Sequence, residues 1–288
     1  MRSMSASPLR VSIHGGHSGQ FCGHAEDTLE DIVKAYIAQG YSWVGLTEHM
    51  TPDRVEHGYP EEAEAGLGAK DQHTRFTEYI ATARQLQEKY ASEITLFVGF
   101  ETEAFEGYQL WLQHLLDTLK PDYIVGSLHH VQDMLIDSTP ADYRKAADVF
   151  GGMDALYAAY FDRQYGLITT FAPTVIGHFD LIRIFDPDYR KRLVKPDIWS
   201  LIQRNLEAIK ERGLIMDLNL RALLKGHQEP YISRPILEEA RKMGIAVVPG
   251  DDSHGVKNVG QFWEEALQVL SDAGFDLTWK LPVQYTII

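Results

Sequence analysis

Three things are scarce in this sequence. Cysteine occurs once in 288 residues, as Cys22, which excludes an intramolecular disulfide and a zinc finger built on paired thiolates. Positive charge is short: 27 Lys and Arg stand against 41 Asp and Glu, a formal net charge of −14. A surface of that sign argues against nucleic acid and anionic membranes as partners, because both demand a basic face. Long apolar runs are also missing. No segment approaches the roughly 20 apolar residues that span a bilayer, and Met1 to Arg10 lacks an apolar signal segment. A cytoplasmic location is the expectation.

What is present is a regular alternation. Short apolar runs at Leu9–His14, Trp43–Thr47, Ile94–Phe100, Tyr123–Ser127, Val175–Gly177, Leu214–Leu218 and Ile245–Pro249 read as seven strands. Between them lie amphipathic runs with apolar residues at helical spacing, at Thr28–Gln39, Phe76–Tyr90, Tyr108–Leu119, 140–171 (broken at Gly151-Gly152), Ile198–Arg212, Pro235–Met243 and Phe262–Ala273. Strand–helix alternation of this kind predicts an α/β fold with a parallel sheet and right-handed crossovers. With no Pro/Ser-rich linker, residues 1–288 are expected to form one (β/α)7 barrel domain, with a doubly wound open sheet as the alternative.

The twelve histidines are placed rather than scattered. His14 ends the first predicted strand, and His17 and His24 follow in its loop. Glu48 and His49 end the second, Glu101 and Glu103 the third, His129 and His130 the fourth, and His178 the fifth. Asp217 and Asn219 end the sixth; Asp251, Asp252 and His254 end the seventh. In a parallel barrel these ends share one face, the one where active sites form. Imidazole and carboxylate together suit Zn, Mn or Fe. The candidates exceed the needs of one ion, so two or three divalent metal ions are expected. Metals about 3.5–4 Å apart clamp the oxygens of a phosphoryl displacement.

Other placements favour bland readings. His114 lies on a helix with Asp117 on its polar face and reads as solvated. His57, His73 and His227 lie in loops. His130 and Glu48 each neighbour a stronger candidate, and successive residues at a strand end point opposite ways. Cys22 reads as a packed thiol near the site, and the acidic 50–70 loop as a solvated lid.

The segments HGGHSGQFCGHAEDTL from His14, GLTEHM from Gly45, GFETE from Gly99, GSLHHV from Gly126, IGHFDLIRIF from Ile176, MDLN from Met216 and PGDDSHGVKNVG from Pro249 together resemble the PHP (polymerase and histidinol phosphatase) superfamily, in its histidinol-phosphatase branch. The resemblance runs from about Ser12 to Gly260. It implies a distorted (β/α)7 TIM-like barrel with His24, His49, Glu101, His129, His178, Asp252 and His254 as ligands, Glu101 bridging. The family usually opens with His-x-His. Here Ser12-Ile13-His14 occupies that place, so His14 matches the second His, and His17 is expected to fill the place that Ser12 leaves.

The resemblance further implies hydrolysis of L-histidinol phosphate to L-histidinol and phosphate, in histidine biosynthesis, by a metal-activated hydroxide. Arg183 is the expected phosphate clamp, with Lys225 and Arg221 as further candidates. Asp252, His254 or a second metal-bound water would protonate the leaving alkoxide. Glu103 or acids of the 53–64 loop would recognise the cationic organic half. The alternatives are a PHP-type phosphoesterase acting on nucleotides or other small phosphate esters, and a non-catalytic metal-binding protein of the same fold.

Overall fold

The computed structural model describes residues 7–282. Seven strands form one parallel sheet: β1 (Arg10–Ser12), β2 (Tyr41–Leu46), β3 (Thr95–Glu101), β4 (Tyr123–Gly126), β7 (Val175–Ile176), β8 (Ile215–Asn219) and β9 (Ala246–Gly250), hydrogen-bonded in that order. Two further strands, β5 (His130–Val131) and β6 (Met134–Leu135), make a small antiparallel hairpin that the apolar pattern did not announce.

The strands are apolar throughout because both of their faces are covered. Side chains alternate between two compartments. Val11, Ile13, Trp43, Tyr123, Val125, Val175, Ile215 and Val248 pack together inside the barrel. Val44, Leu46, Leu96, Val98, Phe100, Ile124, Ile176, Met216 and Val247 join the larger core beneath the helices. Gly45 makes room for Tyr123, since a Cβ there would lie 1.7 Å from the phenol oxygen. Through that gap Tyr123 donates a hydrogen bond to the Ile13 carbonyl at 2.5 Å, tying the fourth strand to the first.

The ring nearly closes. Strands β1 and β9 share no regular ladder, but just past β1 Ile13 N–H donates to Pro249 O of β9, and past both strands Asp252 N–H donates to His14 O, each at 2.9 Å. Ser12 completes the seam. Its buried hydroxyl donates to Asp251 Oδ1 at 2.7 Å and accepts from Asp251 N–H at 3.1 Å.

Helices surround the ring, and their ends follow local chemistry. Helix α1 (Leu29–Ala38) starts where Thr28 Oγ1 accepts from Asp31 N–H, and it buries Leu29, Ile32, Val33 and Tyr36. Helix α2 (Pro60–Glu64) lies in the predicted 50–70 loop, and α3 (Ala69–Lys89) begins seven residues before its expected start. Helix α4 (Tyr108–Leu119) has the expected bounds. The expected break at Gly151-Gly152 separates α5 (Pro140–Phe150) from α6 (Met153–Phe171); both glycines have positive φ, 86° and 128°. Then come α7 (Tyr189–Leu193), α8 (Pro196–Glu211), α9 (Arg221–Leu224), α10 (Arg234–Met243) and α11 (Trp263–Asp272). No helix among the described residues is long and apolar enough to cross a membrane.

Candidate metal centre

The ligand-type residues meet at the C-terminal ends of the sheet, around Glu101, the last residue of β3. Its carboxylate is 1% exposed, and its two oxygens face different histidines. Oε1 lies 2.7 Å from His178 Nε2 and 3.5 Å from His129 Nε2. Oε2 lies 3.0 Å from His49 Nδ1, 3.5 Å from His14 Nε2 and 3.9 Å from His17 Nε2. Asp252, carried on a left-handed residue (φ 46°), approaches His17 Nε2 to 3.2 Å. His17 stacks on His254 with ring centroids 4.3 Å apart, and His254 stacks on His24 at 5.1 Å.

Several of these atoms are buried without hydrogen-bond partners: His14 Nε2, both nitrogens of His17, His49 Nε2 and Asp252 Oδ1. Buried polar atoms are nearly always paired. Clustered imidazole and carboxylate atoms without partners are what a divalent cation would satisfy, and the donor types fit zinc-class ions. The groups whose donor atoms lie within 4.8 Å of one another include His14–His17–Asp252, His14–Glu101–His178, His17–His49–Glu101, His49–Glu103–His129 and Cys22–His24–His49–His254.

Charge in the cluster is interdependent. Burial works to raise the Glu101 carboxyl, but His14, His129 and His49 outweigh it and hold it well below the ordinary range. Burial likewise opposes ionisation of Glu103, and His129, His130 and His49 overcome it. Burial and the charge of His49 bring His24 down to about 4. Burial and neighbouring His17 hold His254 well below the usual imidazole value. Burial pushes the Cys22 thiol up to about 12, keeping it protonated beside the cluster.

A second layer fixes the rings. Asp217 Oδ2 accepts from His14 Nδ1 at 2.9 Å, which leaves His14 Nε2 facing Glu101. Asn219 Nδ2 donates to both Asp217 Oδ2 and Asp252 Oδ2, at 2.9 and 3.1 Å. Glu48, two residues past β2, stands behind His17, its Oε2 3.6 Å from His17 Nδ1. It accepts from Ser18 N–H and Ser18 Oγ, at 2.7 and 2.8 Å, and so anchors the loop that carries His17. Of the two aspartates after β9, Asp252 faces the cluster while Asp251 serves the seam.

Ser12 places its hydroxyl in the β1–β9 seam rather than in the cluster, and His17 reaches the cluster from the loop, its Nε2 3.2 Å from Asp252 Oδ1. Two expectations need correction. Glu103 is not available to substrate: it is 2% exposed, approaches His129 Nδ1 at 2.8 Å and accepts from Tyr59 Oη at 2.6 Å. Arg183 does not line the cavity. Its guanidinium is buried, lies 4.4 Å from the Tyr231 ring centroid, and donates to Asp180 and to the Glu229 and Pro230 carbonyls.

The acidic loop is also less free than a solvated lid. Glu61 Oε1 lies 2.6 Å from His24 Nδ1, and Asp53 Oδ1 lies 2.6 Å from His57 Nδ1. His57 stacks on Phe105 and exposed His114 on Trp111, both away from the cluster. His73 neighbours Trp111, and His227 neighbours Tyr231, outside the cluster as well.

Above the ligands opens a cavity of about 80 Å³. Its walls include His24, His49, His129, His178, Asp252 and His254, together with Tyr59, Asp137, Leu181, Arg221, Lys225 and Tyr231. Asp217 is legible in principle, as a lone carboxylate inside the apolar run LIMDL. Tyr59, Asp137 and Tyr231 come from loops whose course no periodicity announces.

A parallel barrel whose strand ends converge on clustered imidazoles and carboxylates, under a cavity edged with cations, defines a metal-dependent hydrolase of the barrel class. The PHP domain model matches residues 15–221, and the chain belongs to that family. It is 38% identical over 270 residues to a Schizosaccharomyces pombe protein named "Probable histidinol-phosphatase", covering 92% of this chain and 87% of that one. It is 26% identical over 295 residues to the histidinol-phosphatase of Saccharomyces cerevisiae, covering 90% and 88%. Its fold is similar to a Lactococcus lactis histidinol phosphate phosphatase solved with zinc, L-histidinol and phosphate. There the TM-score is 0.70 at 18% identity, over 95% of this chain and 97% of that one.

Proposed function

We propose that this protein is a histidinol-phosphatase: it hydrolyses L-histidinol phosphate to L-histidinol and phosphate, using two or three divalent ions of the Zn, Mn or Fe type. The observation that carries the reading is the set of unpartnered imidazole and carboxylate donors around Glu101, beside a cavity whose wall carries Arg221 and Lys225. The 38% identity to a fungal relative with that name supports the substrate.

The residues to hold the ions are His14, His17, His24, His49, Glu101, His129, His178, Asp252 and His254. Glu101 would serve as the bridge, because its oxygens face separate histidine sets. Bound there, divalent ions supply Lewis acidity toward the phosphate and acidify water.

The chain's own groups do the rest. Asp217 and Glu103 orient imidazoles, so that donor atoms need no reorganisation when charge develops. Arg221 and Lys225 form no side-chain ion pair among the described residues, and their charges are free for phosphate oxygens. Arg183 shapes the wall by pinning the Glu229–Pro230 carbonyls beneath Tyr231. Asp252 is held ionised, against the pull of burial, by His14 and neighbouring imidazoles, and His254 is held neutral. Asp252, His254 or a water held in the site would supply the proton that the leaving oxygen needs.

The test is phosphate release from L-histidinol phosphate by purified protein, metal-replete against chelated, beside a nucleotide panel. Metal-dependent turnover favouring L-histidinol phosphate is expected. Turnover of nucleotides alone would make the protein a different phosphoesterase, and no turnover by metal-loaded protein would leave a binding protein.

A further inference from the structure

Three charged side chains line the cavity without belonging to any clustered donor group: Arg221, Lys225 and Asp137. Two are cations, which a phosphate satisfies. The third is a carboxylate. Asp137 is half-buried, follows the β5–β6 hairpin, and has no hydrogen-bond or ion-pair partner among the described residues.

The charge of Asp137 is felt by His129, Tyr59 and Tyr231, but no donor is bonded to it, and a carboxylate so placed in a phosphate-ester cavity is an electrostatic liability. It repels the dianion the cavity is built to receive, and at short range that repulsion is only partly screened. It weakens binding unless the ligand brings a positive charge of its own to meet it. The neighbouring wall fits the organic half of such a ligand. Leu181 and Tyr231 give apolar surface, and the Tyr231 hydroxyl is buried without a hydrogen-bond partner.

Building on the function proposed above, we infer that Asp137 is the specificity residue for the organic half of the substrate, pairing with its ammonium group while Arg221 and Lys225 hold the phosphate. The cavity thereby selects phosphate monoesters that carry a cation on the alcohol side. Asp137 takes the role that the sequence pattern offered to Glu103.

The experiment compares two esters differing in one charged group, ethanolamine phosphate and ethyl phosphate, in the wild type and in Asp137→Asn. The wild type should prefer the amine-bearing ester by KM. In Asp137→Asn that preference should fall about tenfold, the worth of one charge-assisted hydrogen bond, with metal content unchanged. Asp137→Glu should keep part of it. Calorimetric titration with L-histidinol gives a second readout, and its affinity should fall in step.

Equal losses on both esters, or a wild type indifferent to the amine, would overturn the inference. Failure of the function reading has a different signature: the wild type would ignore L-histidinol phosphate while still preferring ethanolamine phosphate to ethyl phosphate.

Discussion

Glu101 touches the most histidines, and its removal should have the widest effect. Glu101→Gln keeps the shape but removes the charge that faces five imidazoles. It should lower bound metal by at least one ion per chain, measured by elemental analysis after gel filtration; unchanged stoichiometry would remove Glu101 from the ligand set. Asp217 acts one step back, through His14. Asp217→Asn should weaken metal binding about 10–100-fold, as measured by chelator competition, because the carboxylate that orients the His14 ring is lost. An effect on stability alone would show that Asp217 serves only packing. These two residues also mark where the sequence speaks and where it falls silent. Glu101 stands at a strand end inside a motif, and Asp217 interrupts an apolar strand, so both were visible as candidates. Arg183 was visible too, but no pattern distinguishes a guanidinium that faces a ligand from one that pins two carbonyls in a wall. That difference lies in the path of the 226–233 loop, which is set by tertiary packing.

At the scale of elements, the seam between β1 and β9 is the part most open to test. If Ser12 fastens that seam, Ser12→Ala leaves the Asp251 carboxylate and N–H short of a buried partner. It should cost about 1–3 kcal/mol in urea unfolding, the usual penalty for such a loss. Ser12→His, which restores the letters of His-x-His, should destabilise the fold by overpacking a fully buried position and should add no metal. A gain of metal by that variant would show that a ligand can stand at position 12 and that the seam tolerates it. The seven sheet strands and most helix bounds were legible because apolar periodicity and capping residues such as Thr28 act locally. The early start of α3 and the β5–β6 hairpin were not. Ala69–Arg75 is largely polar, and two-residue strands are too short to show a period.

At the scale of the whole molecule, the formal charge of −14 includes several carboxylates gathered at the strand ends. Divalent ions bound there would offset that repulsion and stabilise the native state by mass action, about 4 kcal/mol when free metal is a thousandfold above Kd. Chelation should therefore lower Tm by several degrees, on the order of 5–10 °C for a chain of this size, and re-addition of zinc or manganese should restore it. Scanning calorimetry with and without chelator is the check; coincident transitions would mean that the cluster contributes nothing to stability.

The seam has a consequence in time. His14 and His17 lie on one side of it, and Asp252 and His254 on the other, so the groups drawn together at the cluster belong to the first strand made and the last. A ribosome that has not yet released the stretch after β9 has delivered only half of the clasp. The groups His17–His49–Glu101 and His49–Glu103–His129 are already made by then, but His14–His17–Asp252 is not. An ion held by His14, His17 and Asp252 together would therefore bind only after β9 has been made.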